Sequence, residues 1–343
     1  MKALAAIILA AGKGTRMKSD RAKVTFPIAG KPMIQRVVDS ALKLDCQSVC
    51  VVVGYQMDSV VACLEDDDRI DFVEQSEQLG TGHAVLMAEQ ILKDFEGDVL
   101  ILCGDVPLLS YETLQQLHAE HVATAASCTV LTAFLDDPGK YGRILRDPDG
   151  KISGIVEFKD ATAAQRAIQE WNTGIYCYDA KELFSALKLT SNQNQQGEYY
   201  LTDTLHILHG QCKKVVSVVL KDLTEVSGVN SQQQLAELED AFIAKVREHW
   251  LNNGVVMHNP ATIYIDDTVV LQPDVEIGQN TIIKGGSMVD RGAFIGSNCY
   301  IDHSKISSES ILEGYNILVY AHIPEHHIVE LGETYIEEEI FEG

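Results

Sequence analysis

Basic residues are scarce in this chain: 27 Lys and Arg stand against 50 Asp and Glu in 343 residues, a net charge of -23. Nucleic acid and anionic membrane are thereby excluded as expected partners, because both need a basic face. A long apolar run is missing too. The stretch Leu4–Ala11 is too brief to span a membrane. With only Lys2 ahead of it and Gly-Lys-Gly-Thr-Arg directly behind, it makes a poor signal peptide and a good buried strand. The eight cysteines form no C-x-x-C framework. Cys50 and Cys103 lie in apolar runs, where a thiol acts as a small hydrophobe. A cytoplasmic protein with reduced cysteines is the expectation. Two phosphate-binding signatures are also absent. Met17 stands where a dinucleotide fingerprint needs its third glycine, and no G-x-x-x-x-G-K-[ST] loop occurs.

Against that acidic background one segment reverses sign. Between Gly12 and Lys31 stand six cations (Lys13, Arg16, Lys18, Arg21, Lys23, Lys31) and a single acid, Asp20. Placed at the end of a buried strand, such a segment suits a polyanionic small molecule. Gly12 and Gly14 allow positive φ and a close backbone approach. Successive N–H groups in such a loop make an anion nest. Arg16 offers a bidentate fork, and Lys13 and Lys23 act as point charges. The competing reading is an ordinary strand-to-helix turn with solvated lysines.

Length and a hydrophobic content of 46% suggest two domains. Over residues 1–230, the strand-like runs Val49–Val53, Val99–Cys103 and Thr129–Thr132 alternate with the helix-like runs Pro32–Lys43, Thr81–Leu92 and Tyr111–His121. This alternation predicts an α/β fold with a doubly wound, mostly parallel sheet. The turn Asp147-Pro-Asp-Gly150 predicts a hairpin between Tyr141–Arg146 and Lys151–Glu157. A linker helix over 231–252 then leads into a six-residue repeat. Ile265, Leu271, Ile277, Ile283, Val289, Ile295 and Ile301 fall at that interval, with Ile263, Val269, Val275, Thr281, Ser287, Ala293 and Cys299 two residues ahead of each. A period of six belongs to a β-helix, expected over 253–322 as roughly three coils. The repeat weakens at Lys305 and Ser307. Residues 325–343 hold seven acids and no Lys or Arg, so 323–343 reads as a solvated acidic tail.

Polar islands in the first domain carry the chemistry. Gln75-Ser-Glu-Gln-Leu-Gly-Thr-Gly-His83 leads into a helix; Gln75 presents a donor and an acceptor to a base edge, and Gly80 allows close approach. A glycine-rich helix cap is the alternative. Gly104-Asp105 places a carboxylate past the carboxyl end of a buried strand, the edge where open α/β sheets bind ligands. Asp105 there either holds Mg²⁺ or stabilises a turn. His118 with His121, and His206 with His209, are i,i+3 pairs on helices; lacking a ligand set of known spacing, they read as packing rather than metal ligands.

Taken in order, Leu9–Met17, Glu77–His83, Gly104–Pro107, Tyr141–Ile144, Ile155–Asp160, Asn172–Gly174, Gly197–Tyr200 and Gly228–Asn230 resemble a bacterial family. The resemblance is to the uridyltransferase half of the bifunctional N-acetylglucosamine-1-phosphate uridyltransferase/glucosamine-1-phosphate acetyltransferases, over about residues 4–250. It implies a Rossmann-like nucleotide-diphospho-sugar transferase fold, followed by a short left-handed parallel β-helix. It implies that N-acetylglucosamine 1-phosphate attacks the α-phosphorus of UTP in line and expels pyrophosphate. It implies, too, that Leu9, Ala10, Ala11, Gly12 and Gly14 bind nucleotide and that Arg16 and Lys23 act on the triphosphate. By the same resemblance Gln75, Gly80 and Thr81 read uracil, Asp105 and Asn230 hold Mg²⁺, and Gly142, Glu157, Asn172 and Thr202 contact the sugar.

Departures from the family pattern are Arg21-Ala22-Lys23, where Leu-Pro-Lys is usual, and Trp171, where an aliphatic residue is usual. Neither removes a charged group. The family's acetyl-CoA site and catalytic histidine lie in later coils, and no counterpart is found here; His303 and His322 lack the matching context. Acetyltransferase activity is therefore expected to be absent. The family expectation is a homotrimer, with a weaker trimer or a monomer open for so short a β-helix. Two other classes stay open: a nucleotidyltransferase for another sugar 1-phosphate, and a non-catalytic nucleotide-sugar-binding protein.

Overall fold

The alternating runs assemble into one mixed sheet in the computed structural model, which describes residues 2–337. Its strands are β1 (Ala3–Leu9), β2 (Ser48–Val53), β3 (Ile70–Glu74), β4 (Gly97–Cys103), β5 (Cys128–Phe134), β6 (Arg143–Arg146), β7 (Ile152–Val156), β8 (Glu170–Asp179) and β9 (Val215–Val219). The main path runs β9-β5-β8-β4-β1-β2-β3, and the hairpin β6–β7 joins it through β8. All pairings on that path are parallel except those of β8, which runs antiparallel to both β4 and β5. The central strand is apolar on both faces because helices cover both: Ala6 and Ile8 pack into one core cluster, Ala5 and Ile7 into the other.

The strand order reverses at β1, the usual crevice position in such sheets. There Leu9 sits in register with Cys103, and Gly104 N donates to Leu9 O at 3.0 Å. The apolar run outlasts its strand by two residues. Ala10 N donates to Val52 O (2.9 Å) and Ala11 O accepts from Tyr55 N (3.3 Å), so both peptides turn toward β2 and leave Gly12 with open space above it.

At the opposite edge, the second residue of β4 is Asp98, whose side chain is 1% exposed. Lys2 Nζ lies 3.3 Å away, His118 Nε2 3.2 Å and His121 Nε2 3.4 Å. The first histidine pair noted in the sequence thus serves a buried carboxylate, and His121 Nδ1 also faces Thr129 Oγ1 at 2.9 Å. Burial works to raise the Asp98 carboxyl, but hydrogen bonds from His118 and His121 and the charges of His121 and Lys2 outweigh it and hold it far below the usual range. Cys46 and Cys50 are buried, which pushes both thiols up to about 12 and leaves them inert.

The residues before Pro27 form one compact unit with Pro32–Gln234, and Pro27–Lys31 form the other with the residues from Leu235 on. Nothing in the composition of 27–31 marks it for the second unit. Within that unit Ala29 N donates to Glu239 Oε1 at 2.9 Å. The helix expected over 231–252 spans Gln232–Asn252. Among the described residues, three parallel sheets of five, five and four short strands follow, an arrangement consistent with a β-helix. Ile265 through Ile301 form its buried column. Met288 pairs with Val270 on one side and Lys305 on the other, so the coil reaching Lys305 is one residue shorter. That shortening explains the weakened repeat: the inward position falls on Ile306.

The rungs also continue past residue 322, where the acidic tail was expected to begin. Ile328–Val329 pairs with Ile311–Leu312, and Thr334–Ile336 with Ile317–Val319. Val329 is buried while Glu325, Glu330 and Glu333 are exposed. Composition alone does not separate the outward acids of a rung from a solvated tail. Residues 338–343 of that expected tail lie outside the described residues. Among the described residues no helix is long and apolar enough to cross a membrane.

Candidate functional site

At the reversal point between β1 and β4 a cavity of about 380 Å³ opens. Leu9, Ala10, Ala11, Gly12, Lys23, Gln75, Gly80, Thr81 and Asp105, all expected site residues, line it. The loop after β1 is shaped by Gly14, at φ +61°, where a Cβ would stand 2.7 Å from that of Lys23. Any side chain there pays for the left-handed backbone and pushes the lysine stem aside. Gly14→Ala is expected to weaken triphosphate binding several-fold through Lys23, with the melting temperature lowered by only a few degrees. UTP titration of the variant beside a thermal melt checks both.

Lys23 Nζ makes an ion pair with Asp105 Oδ2 and reaches Asn230 Oδ1 at 3.3 Å. Arg16 donates to the same Asn230 oxygen at 2.7 Å. Asn230 comes from a loop 125 residues away, pinned where Val229 N donates to Asp105 O at 3.0 Å. Arg16, Lys23, Asp105 and Asn230 therefore form a single cluster. The other cations of the basic segment have different tasks. Lys13 sits over the Tyr55 ring (5.4 Å), and Arg21 lies over Phe26 and donates to Thr25 Oγ1 at 2.9 Å. Lys13 thus has a ring partner beside the charge expected of it.

Gln75 is buried, and its amide nitrogen is spent inside the protein: it donates to Gly80 O at 3.1 Å and faces His83 Nδ1 at 3.0 Å. The Gly80 carbonyl oxygen has no proton to give, so its partner must be the amide nitrogen; the amide orientation follows from that bond, and the carboxamide oxygen is the atom left on offer. The sequence reading had allowed a donor as well. Gly80, at φ +112°, begins the helix Thr81–Met87, and a Cβ there would stand 2.5 Å from Tyr199 O. Thr81 Oγ1 accepts from Leu201 N at 3.2 Å, tying the helix start to the same segment.

The four expected sugar residues meet in two pairs. Asn172 N donates to Gly142 O at 3.0 Å, and Thr202 Oγ1 donates to Glu157 Oε1 at 3.1 Å. Tyr176 joins the pairs: burial and then the Glu157 charge push its phenol well up, while Asn172 hydrogen-bonds to it. β8 carries both residues, with a register shift in its pairing with β5 between Asn172 and Tyr176. Burial raises the Glu157 carboxyl; the bond from Thr202 opposes this, and the charges of Asp160, Asp203 and Glu198 add to it.

Sequence reasoning missed Gln78 and Glu198, which line the cavity; Gln78 Nε2 donates to Ala11 O at 2.8 Å. Both lie inside polar segments already noted, and Glu198 directly follows Gly197 at φ +68°, but nothing in the local pattern aims either side chain at the cavity. A larger cavity, about 870 Å³, opens at the amino-terminal edge beside Lys2 and His118. Both of those side chains already face Asp98, whereas the smaller cavity is lined by Lys23 of the phosphate cluster. Among the described residues no three His, Cys, Asp or Glu side chains converge as a metal cage.

Residues 5–254 match the family described as nucleotidyl transferase. The bifunctional protein GlmU of Syntrophotalea carbinolica is 45% identical over 326 residues, covering 92% of this chain and 68% of that protein. Its counterpart in Exiguobacterium sibiricum is 43% identical over 307 residues (90% and 68%), and that of Shouchella clausii 40% over 329 (93% and 72%). The solved structure of a UDP-glucose pyrophosphorylase complexed with UDP-glucose superimposes with a TM-score of 0.59 at 21% identity, over 71% of this chain and 99% of that one. At that identity the likeness concerns the fold.

Proposed function

The chain belongs to the nucleotidyl transferase family and to its GlmU relatives, and from that premise we propose that it transfers the uridylyl group of UTP to N-acetylglucosamine 1-phosphate, releasing pyrophosphate and forming UDP-N-acetylglucosamine. The observation that carries the reading is the cluster of Arg16, Lys23, Asp105 and Asn230 beside a cavity that Gln75 also lines. A phosphate monoester has its second pKa near 6, so the attacking oxygen is largely ionised at neutral pH. No protein base is then needed. The new bond forms at the α-phosphorus while the bond to the pyrophosphate oxygen breaks, and the residues supply charge and position. Arg16 grips phosphate oxygens with its fork, and Lys23 counters the charge that passes to pyrophosphate.

The Gln75 oxygen accepts from uracil N3–H. Cytosine has no proton on that atom, so the same oxygen rejects it. Glu157, Asn172, Thr202 and the Gly142 backbone are proposed to take the sugar hydroxyls and N-acetyl group, bonds that a wrong sugar would leave unmade. The carboxylate of Asp105 and the carboxamide oxygen of Asn230 are hard donors that fit Mg²⁺, an ion held by one or two protein oxygens and completed by water and phosphate. When bound, Mg²⁺ supplies neutralisation of phosphate charge. Both substrates are soluble polyanions, and we place the reaction in the cytoplasm.

Pyrophosphate release from UTP, N-acetylglucosamine 1-phosphate and Mg²⁺, compared with CTP and with other sugar 1-phosphates, tests the reading. Faster release with another sugar 1-phosphate would replace the substrate, and tight binding of UDP-sugar with no release would replace the enzyme by a sensor. For the strand-rich unit we propose a scaffold and no acetyl transfer. Its His303 is paired with Asp302 and stacked on Tyr320, and His322 faces Ser307. Glucosamine 1-phosphate with acetyl-CoA should release no free thiol; a clear signal would reverse this. A homotrimer is the assembly proposed, to be checked by light scattering across a concentration series.

A further inference from the structure

Asn230 meets Arg16 and Lys23 only if the loop that carries it keeps one shape. Its Nδ2 donates to Gly228 O at 3.5 Å, which turns Oδ1 toward the two cations. The loop in turn lies along the stretch that begins at Asp105. Val229 N donates to Asp105 O at 3.0 Å, and Val226 packs in the same core cluster as Val106 and Leu109. Val226 and Val229 are both buried.

Away from the cluster the same two stretches meet again. Glu225 Oε2 accepts from Ser110 N at 2.9 Å and from Ser110 Oγ at 2.7 Å. Residues 105–110 and 225–230 thus run side by side in opposite directions, with Asp105 and Asn230 together at one end and Ser110 and Glu225 at the other. Ser110 also caps the helix Tyr111–Thr124, where its Oγ accepts from Thr113 N at 3.1 Å. The hydroxyl is therefore committed on both sides, giving its proton to Glu225 and taking a bond from the helix. A carboxylate at a helix start also meets the positive end of the helix dipole, and bonds to an ionised acceptor are stronger than neutral ones. Glu225 itself stands on a short turn, Leu223–Val226, whose first residues are fixed by Asp222 Oδ1 accepting from Thr224 N at 3.0 Å. One side chain thereby joins that turn to a long helix. Glu225 does not line the cavity.

We propose that Glu225 is a positioning residue for the phosphate cluster: its clamp on Ser110 fixes the far end of the loop and so presents the Asn230 oxygen to Arg16, Lys23 and the Mg²⁺ proposed there. The inference rests on the uridylyl-transfer reading for its nucleotide, but on neither the sugar nor turnover. At the near end the bond from Val229 to Asp105 is a single pivot. The clamp removes that freedom before the triphosphate arrives, and with it an ordering cost of binding.

UTP affinity in the presence of Mg²⁺, measured by calorimetry with no sugar added, reads the position of Asn230. Asn230→Ala should weaken it about tenfold, the scale of a lost hydrogen bond to charged partners. Glu225→Ala should weaken it roughly five- to tenfold, and Glu225→Gln, which keeps an oxygen for Ser110, should restore most of that loss. The double variant should bind within about twofold of Asn230→Ala alone, because a residue that acts through another adds nothing once that other is gone. A glutamate that only supported the fold would lower the melting temperature and leave affinity within twofold of wild type, or would add its full loss to that of Asn230→Ala. Either result overturns the proposal. Should Glu225→Ala fail to fold, Glu225→Asp, one carbon shorter, takes its place in the cycle. A wild type that bound CTP in preference to UTP would sink the uracil reading alone, and the same cycle run with CTP then still decides Glu225.

Discussion

Asp105→Ala is expected to lower turnover about 10²- to 10³-fold, the scale of losing one preorganised charge-stabilising group at a reacting phosphate. Three consequences of the change act together. One of the two oxygens proposed for Mg²⁺ is removed, Lys23 loses its ion-pair partner, and Asn230 Oδ1 is left to satisfy both Lys23 and Arg16. Folding should survive, since the side chain is a quarter exposed and the loop is anchored through the Asp105 backbone oxygen, which the substitution keeps. Asp105→Asn retains an oxygen donor without its charge and should fall between wild type and alanine. Pyrophosphate release across a Mg²⁺ series measures this. Turnover of the alanine variant within threefold of wild type, at an unchanged Mg²⁺ requirement, would remove Asp105 from the proposed chemistry.

Asp98→Asn should have the largest effect on stability, at the edge of the sheet away from the cavity. The carboxylate is buried and shared by Lys2, His118 and His121, so losing its charge leaves His118 and His121, which packing cannot release to water, without their partner. Breaking such a buried pair costs roughly 3–5 kcal/mol, discounted here to about 2–4 because the Lys2 side chain is more than half exposed. For a unit of this size each kcal/mol lowers the melting temperature by roughly 2–4 °C, so a drop near 10 °C is expected.

The pH dependence has a definite sign. The carboxyl of Asp98 is depressed in the folded protein relative to an ordinary value near 3.9. Its contribution is therefore complete above that value and is lost as pH falls through the folded one. Wild type and variant should converge in strongly acid solution and differ most near neutrality. A variant that melts within 2 °C of wild type at pH 7 would show that the cluster adds no net stability.

Much of this protein was legible without coordinates because its signals are local and periodic. A run such as Ser48–Val53, apolar at nearly every position, has few options except a strand buried on both faces. A period of six in aliphatic side chains has none except stacked rungs. Gly14 and Gly80 announced themselves since only glycine takes those positive φ values cheaply. The limits of the second unit were harder to read. One residue dropped before Lys305 breaks the written period but not the buried column, and acids at rung corners look like a tail.

By itself the sequence determined the sheet's alternation, the presence of a phosphate-seeking loop and the residue types in the polar islands. Each of these depends only on neighbours within a strand, a turn or a repeat. The tertiary structure alone decided which of those residues meet. From the basic segment it brought Arg16 to Asn230, and Lys23 to both Asn230 and Asp105, at the reversal point of the sheet. It turned Gln75 so that only its oxygen remains to offer, and it sent the pair His118 and His121 to a buried carboxylate instead of a metal. Such choices join residues up to 214 positions apart. No local pattern encodes them, since the partner exists only once the chain has closed.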